Sequence, residues 1–92
     1  MVTAFVLIHA RRDLIPETAQ ALADMDGVAE VHSVAGQFDL VAVIRVRTNE
    51  ELADVVTKHM LKLKGIESSQ TLIAFQAYSR HDLERLFSIG ME

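Results

Sequence analysis

Between residues 34 and 46 the chain runs Val-Ala-Gly-Gln-Phe-Asp-Leu-Val-Ala-Val-Ile-Arg-Val, a turn that opens into a strand apolar at nearly every position. A strand from Leu40 to Arg47 with apolar residues at both parities needs cover on two sides, which places it inside a sheet rather than at its rim. Gly36 accepts positive φ without a Cβ penalty, and the short carboxylate of Asp39 is suited to hydrogen-bond its own backbone and fix the turn.

The remaining elements follow from pattern and punctuation. Residues 2–10 form a second run that is apolar on both faces, with Val2, Ala4, Val6 and Ile8 on one and Thr3, Phe5, Leu7 and His9 on the other. Pro16 suits the first turn of a helix spanning about Leu14 to Met25, whose stripe is Ile15, Ala19, Leu22 and Ala23 and whose C-terminal cap is Gly27. Val28 to Ala35 alternates weakly, with Glu30 and His32 on one face, and is assigned to an edge. Thr48-Asn49-Glu50-Glu51 is a capping box that opens a second helix. Its stripe runs through Leu52, Val55, Val56, His59, Met60 and Leu63, and Gly65 ends it. Ile66 to Ser69 is expected to be a connection and Gln70 to Ser79 a last strand. Leu83, Leu86 and Phe87 suggest a short amphipathic C-terminal helix.

The offset that separates Gly27 from Gly65 also pairs Val28 with Ile66, Leu22 with Met60, Leu14 with Leu52 and Phe5 with Val43. A repeated βαβ unit accounts for this. Two copies give an α+β, ferredoxin-like βαββαβ sandwich, a four-stranded antiparallel sheet with both helices on one face. The first and third strands are central in that topology, and they are the two that read as apolar on both sides. Half of the 92 residues are apolar, too many for one small domain to bury alone. The helices cover one sheet face, so the other is expected to pack on a second subunit as a homodimer, a dimeric α+β barrel.

Composition excludes several functions. A net charge of −4 argues against a direct nucleic-acid footprint, which needs clustered Lys and Arg. The absence of cysteine removes disulfides and thiolate chemistry and fits a cytoplasmic protein. No stretch is long and apolar enough for a membrane span. The histidines, His9, His32, His59 and His81, lack metal-ligand spacing, and no glycine-rich phosphate loop or serine nucleophile motif occurs, so neither a metal, nor a cofactor, nor an enzyme is expected. Asp39 is the one ambiguous carboxylate. It either holds the hairpin or offers a counter-ion to an ammonium group, with Ser68, Ser69, Gln70 and Thr71 adding polar groups. Strand order puts these segments on opposite edges of one sheet, so a site using both would be shared between subunits.

With the Gly36-Gln37-Phe38-Asp39 hairpin before an apolar strand, Thr48-Asn49-Glu50-Glu51-Leu52 at a helix start, and Gly65-Ile66 followed by Ser69-Gln70-Thr71-Leu72, residues 3–79 resemble the effector-binding (RAM) domain of Lrp/AsnC-type transcription regulators. The resemblance implies dimers formed sheet to sheet, rings of dimers, and small effectors, typically amino acids, bound between dimers. It maps effector contacts to Gly36, Gln37, Phe38 and Asp39 and to Ser69, Gln70 and Thr71. Members of that family usually carry a helix-turn-helix domain, whereas this chain starts on its first strand. It therefore resembles a single stand-alone RAM domain over 1–92 that senses an amino acid or joins a full-length regulator. Two alternatives share the topology. One is a small dimeric α+β barrel enzyme such as a cofactor-independent oxygenase, which needs His9 or His59 in a pocket between sheet and helices. The other is an ACT-like module, disfavoured because His9-Ala10-Arg11-Arg12-Asp13 lacks the glycine expected after the first strand.

Overall fold

Four strands and two helices alternate in the order expected of a split βαβ repeat. They are β1 (Val2–Ala10), α1 (Ile15–Ala23), β2 (Val28–Ser33), β3 (Leu40–Val46), α2 (Asn49–Asp54) and β4 (Ile66–Ile73). The structure is a computed structural model and describes residues 1–80. The C-terminal helix expected around Leu83, Leu86 and Phe87 lies outside the described residues.

The strands form one antiparallel sheet in the order β2-β3-β1-β4, with β1 and β3 central. Their pairing, Val2 with Val46 through Ile8 with Leu40, joins the two strands that are apolar on both sides. Even-numbered residues of β1 face the helices and are buried: Ala4, Val6, Ile8 and Ala10 join Leu22, Leu40, Ile44 and Met60 in the core. Each fully buried Ile or Leu contributes about 1.5–3 kcal/mol, so the α side of β1 and β3 carries most of the apolar stabilisation. The odd-numbered residues face the other way. Phe5, Leu7, Val41, Val43 and Leu72 meet on that uncovered face, and Phe5 and Leu72 remain 38% and 44% exposed.

Several boundaries differ from the sequence expectation. A 3-10 turn over Arg12–Leu14 precedes α1, so the regular helix begins one residue before Pro16. The last strand starts at Ile66 rather than Gln70 and ends at Ile73 rather than Ser79. Ile66-Glu67-Ser68-Ser69 has no apolar alternation because β4 is an edge strand, held by its backbone ladder to β1 rather than by side-chain burial.

The second helix is regular only through Asp54. It widens into a π-helical turn over Val55–His59 and closes with a 3-10 turn over Met60–Lys62. The wider turn shifts the phase of the stripe: Leu52, Val55 and Met60 stay buried while His59 is exposed. The cap forms as expected, the Thr48 hydroxyl accepting the Glu51 N–H at 3.1 Å. Glu51 reaches back one residue further, to the Arg47 N–H, also at 3.1 Å.

The two glycines serve different ends. Gly27 takes φ 91° in the turn after α1, as a capping glycine does. Gly65 has no positive φ and is buried, and a Cβ placed on it would run into the Thr18 hydroxyl. Its role is close approach between α1 and the start of β4, not termination of the second helix.

Candidate functional site

The hairpin between β2 and β3 turns at Gly36, which takes φ 134°, with open space around it. It is closed by backbone: the Val34 N–H donates to the Asp39 carbonyl at 3.0 Å. The Asp39 carboxylate is directed elsewhere. The β1–β3 ladder ends at the Ile8–Leu40 pair, leaving the Ala10 N–H without a backbone acceptor on that side. Asp39 supplies one, its Oδ2 accepting the Ala10 N–H at 2.9 Å, while its own N–H donates to the Ile8 carbonyl at 2.9 Å. The side chain thus extends the β1 ladder by one rung. This corrects the expectation that it bonds within its own turn.

On the other flank, the Arg11 N–H donates to the Gly65 carbonyl at 2.8 Å, and β1 and β4 slip register between His9 and Ala10. The end of β1 is therefore gripped from both sides. Beside it, the His9 ring stacks on Phe38 with centroids 4.6 Å apart. Asp39 is half-buried and its second oxygen accepts no hydrogen bond among the described residues. A carboxylate fixed through one oxygen and open at the other, next to an aromatic surface, suits a ligand bearing an ammonium group.

The sequence-derived contact residues are only partly gathered here. Gly36, Gln37, Phe38 and Asp39 lie together at this end of the sheet. Ser68 pairs with His9, but Ser69, Gln70 and Thr71 pair with Ile8, Leu7 and Val6, progressively further along the strand. Ser69 and Thr71 follow the helix side, and Gln70 the open face. The hairpin and the start of β4 do not occupy opposite edges in the way strand order alone suggested. The returning arm of the hairpin leads into central β3, so Asp39 and Ser68 flank the same β1 terminus, about 10 Å apart across two strand spacings. Sequence reasoning had no local signal for the His9–Phe38 contact, which only the sheet register creates.

A second depression of about 400 Å³ lies between the C-terminal end of α1 and the second helix, over Gly27, Val46 and Val55. Of its three carboxylates, Asp26, Glu51 and Asp54, two are engaged locally, Glu51 by the Arg47 N–H and Asp54 by Lys58 at 3.2 Å, and His59, which also lines it, is exposed. His9 is on the opposite, open face of the sheet. The oxygenase alternative needs a histidine in an enclosed pocket between sheet and helices, and the depression that His59 lines is open to solvent. Among the described residues no three His, Asp or Glu side chains are grouped to hold a metal. No described helix is long and apolar enough to cross a membrane.

Strand order and helix placement together define a ferredoxin-like module. The Lrp/AsnC ligand binding domain family matches residues 3–83, and the chain belongs to it. An HTH-type transcriptional regulator of Pyrococcus furiosus is 36% identical over 76 residues, covering 79% of this chain and 51% of the relative. The chain thus spans about half the length of the curated relatives it matches. The crystal structure of TTHA0845 from Thermus thermophilus is similar at 50% identity and a TM-score of 0.82, covering 87% of this chain and all of that one. The transcriptional regulator NMB0573 of Neisseria meningitidis, solved as an L-Met complex, shares the fold at 15% identity and a TM-score of 0.77, over 86% of this chain and 53% of that one.

Proposed function

We propose that this domain is an oligomeric sensor of amino acids or similar small effectors, related to Lrp/AsnC transcription regulators. The observation that carries the reading is the Asp39 carboxylate, anchored to the Ala10 N–H through Oδ2 and open at its other oxygen. An α-ammonium group pairs with such a carboxylate, and the His9–Phe38 stack offers contact area to the side chain of the effector. Support for the ligand class comes from the family and from the L-Met complex of a relative with the same fold.

The apolar open face, with Phe5, Leu7, Val41, Val43 and Leu72, supports a homodimer packed sheet to sheet. Dimers then assemble into a larger ring, bringing Gly36, Gln37, Phe38 and Asp39 of one dimer toward polar groups of β4, Ser69, Gln70 and Thr71, on another. These 92 residues act as a sensing unit, and co-assembly with a full-length regulator would carry the signal to DNA. Thermal-shift screening against the common amino acids, with light scattering on every hit, tests the reading. A ligand at 100 times its Kd raises stability by about 2.7 kcal/mol and should be plain in the melting curve. No stabilising amino acid at millimolar concentration would count against it.

A further inference from the structure

Two of the chain's five aromatic side chains stand on a short arm at the end of β4. Ala74 is still tied to the sheet, its N–H donating to the Thr3 carbonyl at 2.9 Å, and residues 75–79 then belong to no strand or helix. Phe75 is fully exposed and Tyr78 is 85% exposed, although side chains of this kind contribute most to a contact when they are covered. The Tyr78 hydroxyl donates to Gln76 Oε1 at 3.3 Å, a contact within the arm itself.

A surface of matching character lies at the root of the arm. α1 rests on β2 and β3, and α2 on β3 and β1, which leaves the edge strand β4 the least covered. Between α2 and β4 runs an apolar groove of about 250 Å³, walled by Leu52, Ala53 and Val56 on the helix and by Thr71 and Ile73 on the strand. Ile73 is 55% exposed there, although as the helix-side partner of Ala4 it stands next to the core. Phe75 does not fill the groove of its own chain. It follows Ile73 by two residues, and reversing the chain onto that wall takes a turn of about four.

We propose that the arm is exchanged between two copies of this chain, Phe75 of each protomer entering the groove between α2 and β4 of the other, with Tyr78 at its rim. The exchange rests on the sheet-to-sheet homodimer proposed above and is continuous with it, since Leu72 belongs to the open face and Ile73 to the groove. Stacked sheets lie about 10 Å apart, and residues 74–78 span about 17 Å when extended, so the arm is long enough to cross from one sheet to the other. Because one chain carries both the aromatic arm and the groove, a two-fold pair satisfies both at once.

The chain has no cysteine, so thiols split between two chains read the exchange directly. Ala53→Cys places one in the groove and Gln76→Cys one on the arm, with Phe75 and Ile73 left in place. The two single variants, refolded together at full length and oxidised, should give a disulfide-linked heterodimer in at least about tenfold higher yield than the covalent dimers from either variant alone. Both thiols in one chain should give a covalent dimer on a non-reducing gel. Phe75→Ser should raise the dimer dissociation constant at least about tenfold with unchanged circular dichroism. Ile73→Ser should act in the same direction, and the double variant by less than the product of the two. A double-cysteine chain that closes on itself, heterodimer no more abundant than the controls, or an unchanged dissociation constant in Phe75→Ser would each overturn the exchange. The homodimer is judged separately by Phe5→Glu: a variant that stays dimeric overturns the homodimer and the exchange built on it, whereas monomers from Phe5→Glu beside any of those three results overturn the exchange alone.

Discussion

Asp39 and Ala10, 29 residues apart in sequence, are joined by a 2.9 Å hydrogen bond from the Ala10 N–H to Asp39 Oδ2, so a hairpin carboxylate terminates the central strand of the sheet. Removing it leaves a half-buried stretch of backbone with an unmet donor. Asp39→Ala should destabilise the domain by about 1–3 kcal/mol, whereas Asp39→Asn keeps an acceptor oxygen and should lose distinctly less. Urea unfolding of the two variants beside the parent measures the difference, and equal losses would show that the charge rather than the acceptor matters.

Gly65 and Thr18 form a second specific contact. Gly65→Ala drives a methyl group into the Thr18 side chain and should be among the most damaging single changes in the domain, at about 1–3 kcal/mol. Thr18→Ala removes the hydroxyl it collides with. The double variant should therefore be more stable than the two single losses summed, a coupling that thermal unfolding will read.

Gly36 is a contrasting case, because nothing surrounds it and only its φ of 134° opposes a side chain. Gly36→Ala should cost about 1–3 kcal/mol through backbone strain alone. No compensating substitution nearby should rescue it. Since the same turn presents Asp39, the melting temperature and effector affinity are expected to fall together.

Phe5 tests the open face. It is 38% exposed at the centre of the apolar patch, opposite Val43 on one side and Leu72 on the other. Phe5→Glu places a charge in the proposed sheet-to-sheet interface and should yield monomers by light scattering while leaving the circular dichroism unchanged. A variant that remains dimeric would move the interface elsewhere.

The strands legible in the sequence were those whose side chains are sorted by burial. β1 and β3 read correctly because central strands are apolar at both parities, and the split βαβ order followed from the offset that pairs Gly27 with Gly65. β4 was misplaced by four residues at its start because Glu67, Ser68 and Ser69 hold their place through main-chain bonds that leave no mark on composition. The π-helical turn escaped for a related reason. Val55, Val56, His59 and Met60 fit a 3.6-residue period, and only the packing of Val55 and Met60 shows that His59 has turned outward. At the site, Gly36 declared its positive φ, but the partner of Asp39 could not be read. A carboxylate next to a turn looks local until the register of β1 against β3 leaves the Ala10 N–H facing it. The same register creates the His9–Phe38 stack and sets Ser68, rather than Gln70 or Thr71, level with the end of β1.

The account rests on Asp39 having two roles, one for each oxygen, and Asp39→Asn separates them. Isothermal titration of the parent and of Asp39→Asn with the amino acid that most stabilises the parent is the direct measurement. The predicted result is a folded variant of the same oligomeric size whose affinity is at least about tenfold weaker, the loss of one charge-assisted hydrogen bond to the ammonium group. Unchanged affinity in Asp39→Asn would contradict the claim that this carboxylate reads the effector.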